Sequence, residues 1–339
     1  MSVLILAEDV DPSADAVVRA LTKRGAVVHR VNTAWFPTHL DVSARLQGGR
    51  WSGRIRTPRR AIELEEITAV WYRAPKAYRF PNELSPVERA HANQEAKYGL
   101  GGVLSSLPAL WVNHPARLAD AAYKPVQLTT AYRCGLTVPD TLITNEAKSV
   151  EAFSAEGKTV TKVLGANSII EEGVHKVSYT WLLGDGDLTD LRGVEQTTHL
   201  FQRWVSKAYD ARIVVIGEHM TTAAIRAGTA PGRVDWRADY GNLSYDLIDP
   251  PTEVAHGVRQ LMVTMDLVYG ALDFVVQPSG EWVFLEINAG GQYGWIEDET
   301  RAPLTDQLAD LLAKGTNDGT GGRLDSICAA ARRQSARER

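Results

Sequence analysis

The segment DFVVQPSGEWVFLEINAGGQYGW, from Asp273 to Trp295, has the pattern of a β-hairpin with polar residues on an apolar background. Two apolar runs flank Pro-Ser-Gly, a composition typical of the turn in a β-hairpin. The first run begins with Asp273, and the second ends with Glu286 and Asn288, which share one strand face because they are two residues apart. Any one of these residues alone would be read as a solvated strand edge. Together, their oxygens suit a hard divalent cation such as Mg²⁺, so the hairpin predicts a metal site.

Composition and charge narrow the class of protein. At 339 residues the chain exceeds one average core, which predicts two or three packed units. A formal net charge of −4 argues against a nucleic-acid binder with a broad basic face. The sequence shows no membrane-spanning apolar run and no secretory leader. The only cysteines, Cys134 and Cys328, have no disulfide or zinc-ligand spacing. These features predict a cytoplasmic α/β protein with neither a nucleic-acid nor a membrane partner.

The first third of the sequence has a β-α-β pattern. VLILA predicts a buried strand, Asp11-Pro12 the start of a helix, and AVVHRV a second strand after Gly25. This order is typical of a parallel sheet. A small hairpin at 50–64, a strand ending near Pro75, a helix capped by Ser85 and the strand ALWVNHP follow.

The remaining sequence predicts further sheets and helices. A helical stretch up to Gly135 is interrupted at Pro125, and the strand TVTKVLG carries Lys162. Ser168–Leu183 alternates like a hairpin and precedes the acidic turn LLGDGDLTD. Several strands then follow, with a helix at Glu253–Met265 before the opening hairpin. An amphipathic helix, PLTDQLADLLAKG, precedes a tail whose composition predicts poor order.

The pattern Asp273 … Leu285-Glu286-Ile287-Asn288 resembles the magnesium-binding end of the ATP-grasp fold. More narrowly, the chain through about Lys314 resembles the ATP-grasp ribosomal peptide maturases that make graspetides, the microviridin-type ligases. The resemblance rests on VWYRAP (Val70–Pro75), WVNHP (Trp111–Pro115), KPVQLTTAYRCGLTVPDTLITN (Lys124–Asn145), FQRWVSKAYDARIVVIG (Phe201–Gly217) and LEINAGGQYGWIE (Leu285–Glu297). Ala74 departs from the family pattern, which has a second arginine there.

The resemblance implies an α/β (α+β) architecture in three parts. Residues 1–114 would form a pre-ATP-grasp domain with a parallel sheet, 115–200 a central lid, and 201–314 a C-terminal domain with an antiparallel sheet and the metal site. Residues 315–339 would be the poorly ordered tail.

The resemblance also implies a nucleotide site. Lys124 and Lys162 would contact the phosphates, and the strand that carries Gln202, Trp204 and Val205 would read the adenine edge through backbone groups. The alternative reading is a solvated charge for a lone lysine and ordinary core for the strand. Lys162 stands out because it lies within an apolar strand, where a cation needs an anion to face.

Arginines would complete the site. Arg212, Arg226 and Arg237 match family arginines near the nucleotide, the γ-phosphate and the acyl-phosphate, where a guanidinium fork suits spreading phosphoryl charge. Arg73 and Tyr72 would contact the substrate, with Arg73 holding a carboxylate. For the three later arginines the alternative is a surface salt bridge; for Arg73 it is a buried ion pair with an acid of its own domain, such as Glu95.

The implied reaction is carboxylate activation with ATP and Mg²⁺, with two ions expected. Asp or Glu side chains of a ribosomal precursor peptide would become acyl-phosphates and then join Ser, Thr or Lys side chains as esters or amides. The precursor would carry a leader, which the hairpin Ser168–Leu183 and the acidic turn 185–190 are expected to bind. A homodimer is left open. The alternatives are a RimK-like ligase that adds amino acids to a carboxylate and a non-catalytic ATP-binding module.

Overall fold

The computed structural model describes residues 2–165, 168–171, 174–229, 232, 234–238 and 240–315. Within these, the residues before Arg117 and those after Ala302 form a first unit, and Arg117–Ala302 form a second unit. None of the helices in the described ranges is long and apolar enough to span a bilayer. The predicted α/β class is confirmed, because the first unit contains a parallel sheet and the second unit antiparallel sheets. The division into three functional domains stays a prediction.

The first unit is built on a four-stranded parallel sheet in the order β2-β1-β6-β7. A three-stranded antiparallel sheet, β3-β4-β5, contains the hairpin predicted at 50–64. The strands are β1 (Ser2–Leu6), β2 (Val27–Val31), β3 (Asp41–Gln47), β4 (Arg50–Arg56), β5 (Ala61–Glu63), β6 (Ile67–Tyr72) and β7 (Leu110–Val112).

The helices of the first unit begin at the predicted caps. In α1 (Pro12–Lys23) the Asp11 side chain accepts from the Ala14 amide, and in α2 (Pro86–Tyr98) Ser85 and Glu88 form a capping box. The sequence predicted one helix from Ser85 onward, but the helix ends at Gly99 and α3 (Leu100–Ser105) follows. The final helix, Leu304–Lys314, packs on α1, where Arg24 forms ion pairs with Asp306 and Asp310. The predicted tail after Gly315 lies outside the described residues.

The second unit contains two larger antiparallel sheets and a hairpin. A four-stranded sheet has the order β12-β9-β13-β8, a five-stranded sheet the order β16-β15-β14-β17-β18, and β10 pairs with β11. The strands are β8 (Thr141–Thr144), β9 (Thr159–Lys162), β10 (Ser168–Glu171), β11 (Val174–Val177), β12 (Trp181–Leu182), β13 (His199–Arg203), β14 (Tyr209–Ile216), β15 (His219–Ala227), β16 (Leu243–Ile248), β17 (Tyr269–Val276) and β18 (Trp282–Asn288).

Helices pack on these sheets. They are α4 (Pro115–Ala121), α5 (Lys124–Arg133), α6 (Ala147–Ala155), α7 (Asp185–Leu188), α8 (Thr252–Thr264) and α9 (Gly294–Thr300), and the last helix of the chain is therefore α10 (Leu304–Lys314). Pro125 separates α4 from α5 as predicted, because it occupies the first turn of the new helix. The acidic stretch predicted as a turn forms the single helical turn α7, since the Asp187 carboxylate accepts from the Gly184 amide. The main core of this unit lies between α5, α8 and the strands β14, β17 and β18.

Candidate active site

The predicted hairpin forms at one side of the five-stranded sheet, where β18 is the edge strand and β17 pairs with the central strand β14. β17 and β18 pair antiparallel, and Asp273 lies directly opposite Glu286. The register shifts just after Asp273, so that Phe274 pairs with Phe284 and Leu285 is the extra residue of a bulge. Asp273 is only 5% exposed, and both phenylalanines are buried. A carboxylate at this position therefore needs a counter-charge.

Two arginines supply that counter-charge. Arg212 lies opposite Asp273 on the neighbouring strand β14, and its Nη1 donates to Asp273 Oδ1 at 2.7 Å. Arg237 Nη2 donates to Asp273 Oδ2 at 2.8 Å. Arg212 Nη2 also donates to the Gln292 carbonyl at 3.1 Å, which ties it to the glycine-rich loop. A Cβ at Gly291 would lie 2.9 Å from the Asn288 Cβ and 3.0 Å from Arg212 Nη2, so this close approach favours glycine.

Glu286 lies beside the two predicted phosphate lysines. Lys124 Nζ is 2.8 Å from Glu286 Oε2, and Arg237 Nη2 is 3.7 Å from Glu286 Oε1. Burial raises the pKa of Glu286, but the charges of Lys162 and Lys124 outweigh it and bring the pKa to about 2. Glu286 is therefore ionised at neutral pH.

Lys162 differs from the other cations of the site. Burial is the main cause that lowers the pKa of Lys162, and the nearby Glu286 carboxylate opposes it. Among the described residues, none forms a hydrogen bond or ion pair with Lys162 Nζ at the distances seen for Lys124. An enclosed ammonium without such a partner suits an incoming anion such as a phosphate.

The oxygen-bearing side chains fit a hard cation. Asn288 Nδ2 lies 3.4 Å from both Asp273 Oδ2 and Glu286 Oε1, so the three predicted metal residues converge. Rotating the Asn288 amide would turn its oxygen toward the two carboxylates. The described residues contain no group of three His, Cys, Asp or Glu side chains suited to a metal. Two carboxylates and an amide match Mg²⁺, which takes few protein oxygens and shares the rest with phosphates.

These residues line one cavity of about 440 Å³ within the second unit. Gln202, Trp204 and Val205 line it as well. The Gln202 side chain donates to Thr141 Oγ1 at 2.9 Å, and the Trp204 amide donates to the Lys158 carbonyl at 2.8 Å. The Trp204 carbonyl and the Val205 amide have no backbone partner within the described residues and so remain available to a ligand edge.

One predicted arginine lies elsewhere. Arg226 on β15 does not line the cavity; it pairs with Asp246 at 2.7 Å and packs over the Tyr209 ring at 4.8 Å. Its side chain is 45% exposed, as expected for the surface salt bridge weighed as the alternative. The structure brings Arg212 and Arg237 together but not Arg226, whose assigned role stays a prediction.

The predicted substrate residues belong to the first unit. Arg73 Nε is 3.0 Å from Asp11 Oδ2, and both side chains are almost fully buried. Asp11 also caps α1, so this ion pair joins the end of β6 to the start of that helix. The geometry is that of the alternative weighed from the sequence, with Asp11 rather than Glu95 as the partner. Tyr72 is partly buried, which raises its pKa. A substrate role for either residue stays a prediction.

Sequence reasoning missed a buried ion pair in the same cavity. Lys207 Nζ lies 2.7 Å from Asp210 Oδ2, and both side chains are less than 9% exposed. Burial raises the pKa of Asp210 to about 6, although Lys207 opposes the shift. Asp235 also lines the cavity and accepts from the Thr180 amide at 3.0 Å. The sequence signal for this ion pair is the Lys-x-x-Asp spacing in SKAYDAR. Of that segment, only Arg212 was predicted to lie in the site.

Comparison with known proteins identifies the domain and the fold. Residues 2–119 match the MvdD pre-ATP grasp domain. A RiPP-associated ATP-grasp ligase from Chryseobacterium gregarium, solved with ADP and a leader and core peptide, is 28% identical with a TM-score of 0.83, covering 92% of this chain and 96% of the other. The macrocyclase MdnC from Microcystis aeruginosa, solved with the precursor peptide MdnA, is 28% identical with a TM-score of 0.81, covering 93% and 99%.

A more distant structure shares the fold alone. The RimK domain ATP-grasp protein from Sphaerobacter thermophilus is 16% identical with a TM-score of 0.54, covering 92% of this chain and 99% of the other. Among curated proteins, none matches this sequence. The matched N-terminal domain and the similarity of the whole chain identify an ATP-grasp ligase that is similar to the RiPP-associated ligases of this fold.

Proposed function

We propose that the chain is an ATP-dependent macrocyclase of a ribosomal precursor peptide. It would activate Asp or Glu side chains as acyl-phosphates and join them to Ser, Thr or Lys side chains as ester or amide cross-links. The observation that carries the proposal is one cavity in which four cations, Lys124, Lys162, Arg212 and Arg237, surround the two carboxylates Asp273 and Glu286. The two similar ligases, solved with a peptide and, in one case, ADP, support the choice of substrates.

Each group in the cavity has a proposed task. Lys124 and Lys162 hold the nucleotide phosphates, and the backbone at Trp204 and Val205 holds the adenine. Asp273, Glu286 and Asn288 would hold Mg²⁺, with two ions proposed; bound there, the metal supplies positive charge to the phosphates.

Arg212 and Arg237 are assigned to the negative charge that develops during the reaction. The substrate carboxylate attacks the γ-phosphate, and the developing charge spreads over the phosphoryl oxygens. Arg212 and Arg237 carry guanidinium donors suited to that charge, and they are already oriented by Asp273. The hydroxyl or amine of a second side chain then attacks the acyl carbon, and phosphate leaves. The reaction needs no protein nucleophile, because ATP provides the activation.

The test is intact mass spectrometry of a precursor peptide incubated with the chain, ATP and Mg²⁺. We expect the peptide to lose one water per ring, with one ADP formed for each loss. A gain in mass by whole amino-acid residues would instead indicate a RimK-like ligase. An unchanged peptide with no ADP formed, in the presence of bound nucleotide, would support a non-catalytic module.

A further inference from the structure

A second cavity, of about 560 Å³, lies within the first unit and takes no part in the proposed reaction. It lies beyond the carboxyl end of β2, and the loops after β2, β4 and β6 also contribute to it. The carboxyl ends of parallel strands are where α/β sheets usually bind their ligands. We call it the arginine pocket, after the residues that line it: Arg30, Arg59, Arg60 and Arg79.

The pocket has a net positive charge. Four arginines line it, against the carboxylate of Asp9, which accepts from Asn32 Nδ2 at 3.0 Å, and that of Asp15, which pairs with Arg30. The chain as a whole is formally negative. A concentration of one sign of charge in a concave site attracts ligands of the opposite sign.

Two of the arginines are fixed by the protein. Arg30 donates to the Asp15 carboxylate and to the Glu8 carbonyl, and Arg60 Nη1 donates to the Val28 carbonyl at 3.0 Å. Such anchors hold the guanidinium groups in place before any ligand arrives, which lowers the entropy cost of binding.

The other two arginines are free to bind. Within the described residues, the side chains of Arg59 and Arg79 have no hydrogen-bond or ion-pair partner, and both are exposed at the rim. The lining also contains apolar side chains, with Val31 and Ile62 each 2% exposed and Trp35 partly buried. Arginines beside apolar side chains suit a carboxylate carried on a short aliphatic stem.

We propose that the arginine pocket binds Asp or Glu side chains of the peptide substrate that are not being activated. The choice of a peptide as the source of these carboxylates rests on the proposed function. The pocket would then add to peptide affinity without taking part in the phosphoryl or acyl transfer.

The test is fluorescence anisotropy with a fluorescein-labelled deca-glutamate peptide, using the full chain at low ionic strength. Saturating ADP and Mg²⁺ keep the cations of the second unit from capturing the probe. The pocket variant is Arg59→Gln with Arg79→Gln. The matched control is Arg50→Gln with Arg54→Gln, two exposed arginines of β4 outside the pocket, so that both variants lose the same charge.

We expect the pocket variant to bind deca-glutamate about tenfold more weakly, which corresponds to about 1.4 kcal/mol of binding free energy. The control should change by less than about twofold, and labelled deca-glutamine should not bind. Equal weakening in both variants, no weakening in either, or no binding of deca-glutamate to the unmodified chain would overturn the proposal.

A competition experiment distinguishes a peptide carboxylate from free phosphate as the ligand of the pocket. If millimolar inorganic phosphate displaces deca-glutamate from the unmodified chain, and the phosphate itself requires Arg59 and Arg79, the ligand is free phosphate and the peptide assignment fails. The binding measurement needs no turnover. A failure of the proposed function therefore appears as a peptide of unchanged mass, independently of the pocket result.

Discussion

At the scale of single residues, the site is an excess of cations held close to two carboxylates. Asp273 is shared by Arg212 and Arg237, and Glu286 is paired with Lys124. Without an added anion, Lys124, Arg212 and Arg237 pair with these two carboxylates. A polyphosphate with its metal would rearrange the pairs, because the phosphates take the cations and the metal takes the carboxylates.

The first prediction concerns the carboxylate of Glu286. We expect Glu286→Gln to remain folded and to lose product formation, since the charge that would hold the metal is removed; such a loss is worth several kcal/mol of barrier. Its melting temperature should fall, because Lys124 loses its partner. Peptide mass and circular dichroism are the measurements.

The matched control is Glu281→Gln, which changes an exposed glutamate that precedes β18. It should keep both activity and melting temperature. Near-normal turnover by folded Glu286→Gln would mean that the metal assignment is wrong.

The second prediction concerns the proton of Lys162. Burial lowers its pKa in the free protein, and a bound phosphate should raise the pKa again. At alkaline pH, between the lowered and the raised value, ADP binding should therefore take up a proton; well below the lowered value, it should not. Calorimetry of ADP binding in buffers of different ionisation enthalpy measures this uptake.

Lys162→Arg provides the comparison, since its guanidinium stays charged throughout. The buffer dependence should disappear in that variant while ADP still binds. If the unmodified chain takes up no proton on binding ADP at any alkaline pH, Lys162 does not contact the phosphates.

The convergence of Asp273, Glu286 and Asn288 was predictable from the sequence, because polar residues inside an apolar hairpin conflict with their surroundings. Their role as metal ligands stays a prediction. The partner of Arg73 could not be predicted, because the sequence offers several acids and only the fold brings Asp11 beside it. The ion pair of Lys207 and Asp210 was missed because each residue alone is an ordinary surface type.

At the scale of elements, the hairpin β17–β18 positions the site through one bulge. The bulge keeps Asp273 opposite Glu286 while the strands continue with buried aromatic pairs. Strands and helices with strong caps or clear periodicity were predictable. The strand β16 and the helix α9 were not predicted, because their sequences carry no strong strand or capping signal of their own. The break at Gly99 was missed although the glycines of GLGG are a helix-breaking signal.

The third prediction concerns the hairpin β10–β11 and the strand β12 that follows it. Tyr179 and Trp181 are 43% and 61% exposed, an apolar surface consistent with the proposed binding of a leader. We expect Tyr179→Ala with Trp181→Ala to weaken precursor binding about tenfold and to leave ADP binding unchanged. Titration of labelled precursor with the chain measures the precursor affinity, and a separate titration with ADP measures the nucleotide affinity.

The control is Tyr98→Ala with Tyr132→Ala, two exposed tyrosines on α2 and α5. Asp187 is a poor choice for a charge reversal, because its carboxylate accepts from Trp181 Nε1 and the Gly184 amide and so stabilises α7. Unaltered precursor affinity in the hairpin variant would mean that this element does not bind the leader.

At the scale of the whole molecule, similarity to the two RiPP-associated ligases extends over more than nine-tenths of the chain, at 92% and 93% coverage. The fold followed from the sequence because several separate motifs agreed with one architecture. The association of the last helix with the first unit was not predictable, since its amphipathic pattern shows that it packs but not on what.

In the proposed reaction, a peptide carboxylate attacks the γ-phosphate of ATP. The most direct measurement uses a precursor peptide whose Asp and Glu carboxylates are labelled with oxygen-18, followed by mass analysis of the phosphate released. Attack by the carboxylate transfers one labelled oxygen to phosphate for each ring, because the acyl carbon–oxygen bond breaks when the ring closes. We predict one labelled phosphate per water lost from the peptide. Ring formation with unlabelled phosphate, or with label in AMP, would rule out attack by the peptide carboxylate on the γ-phosphate.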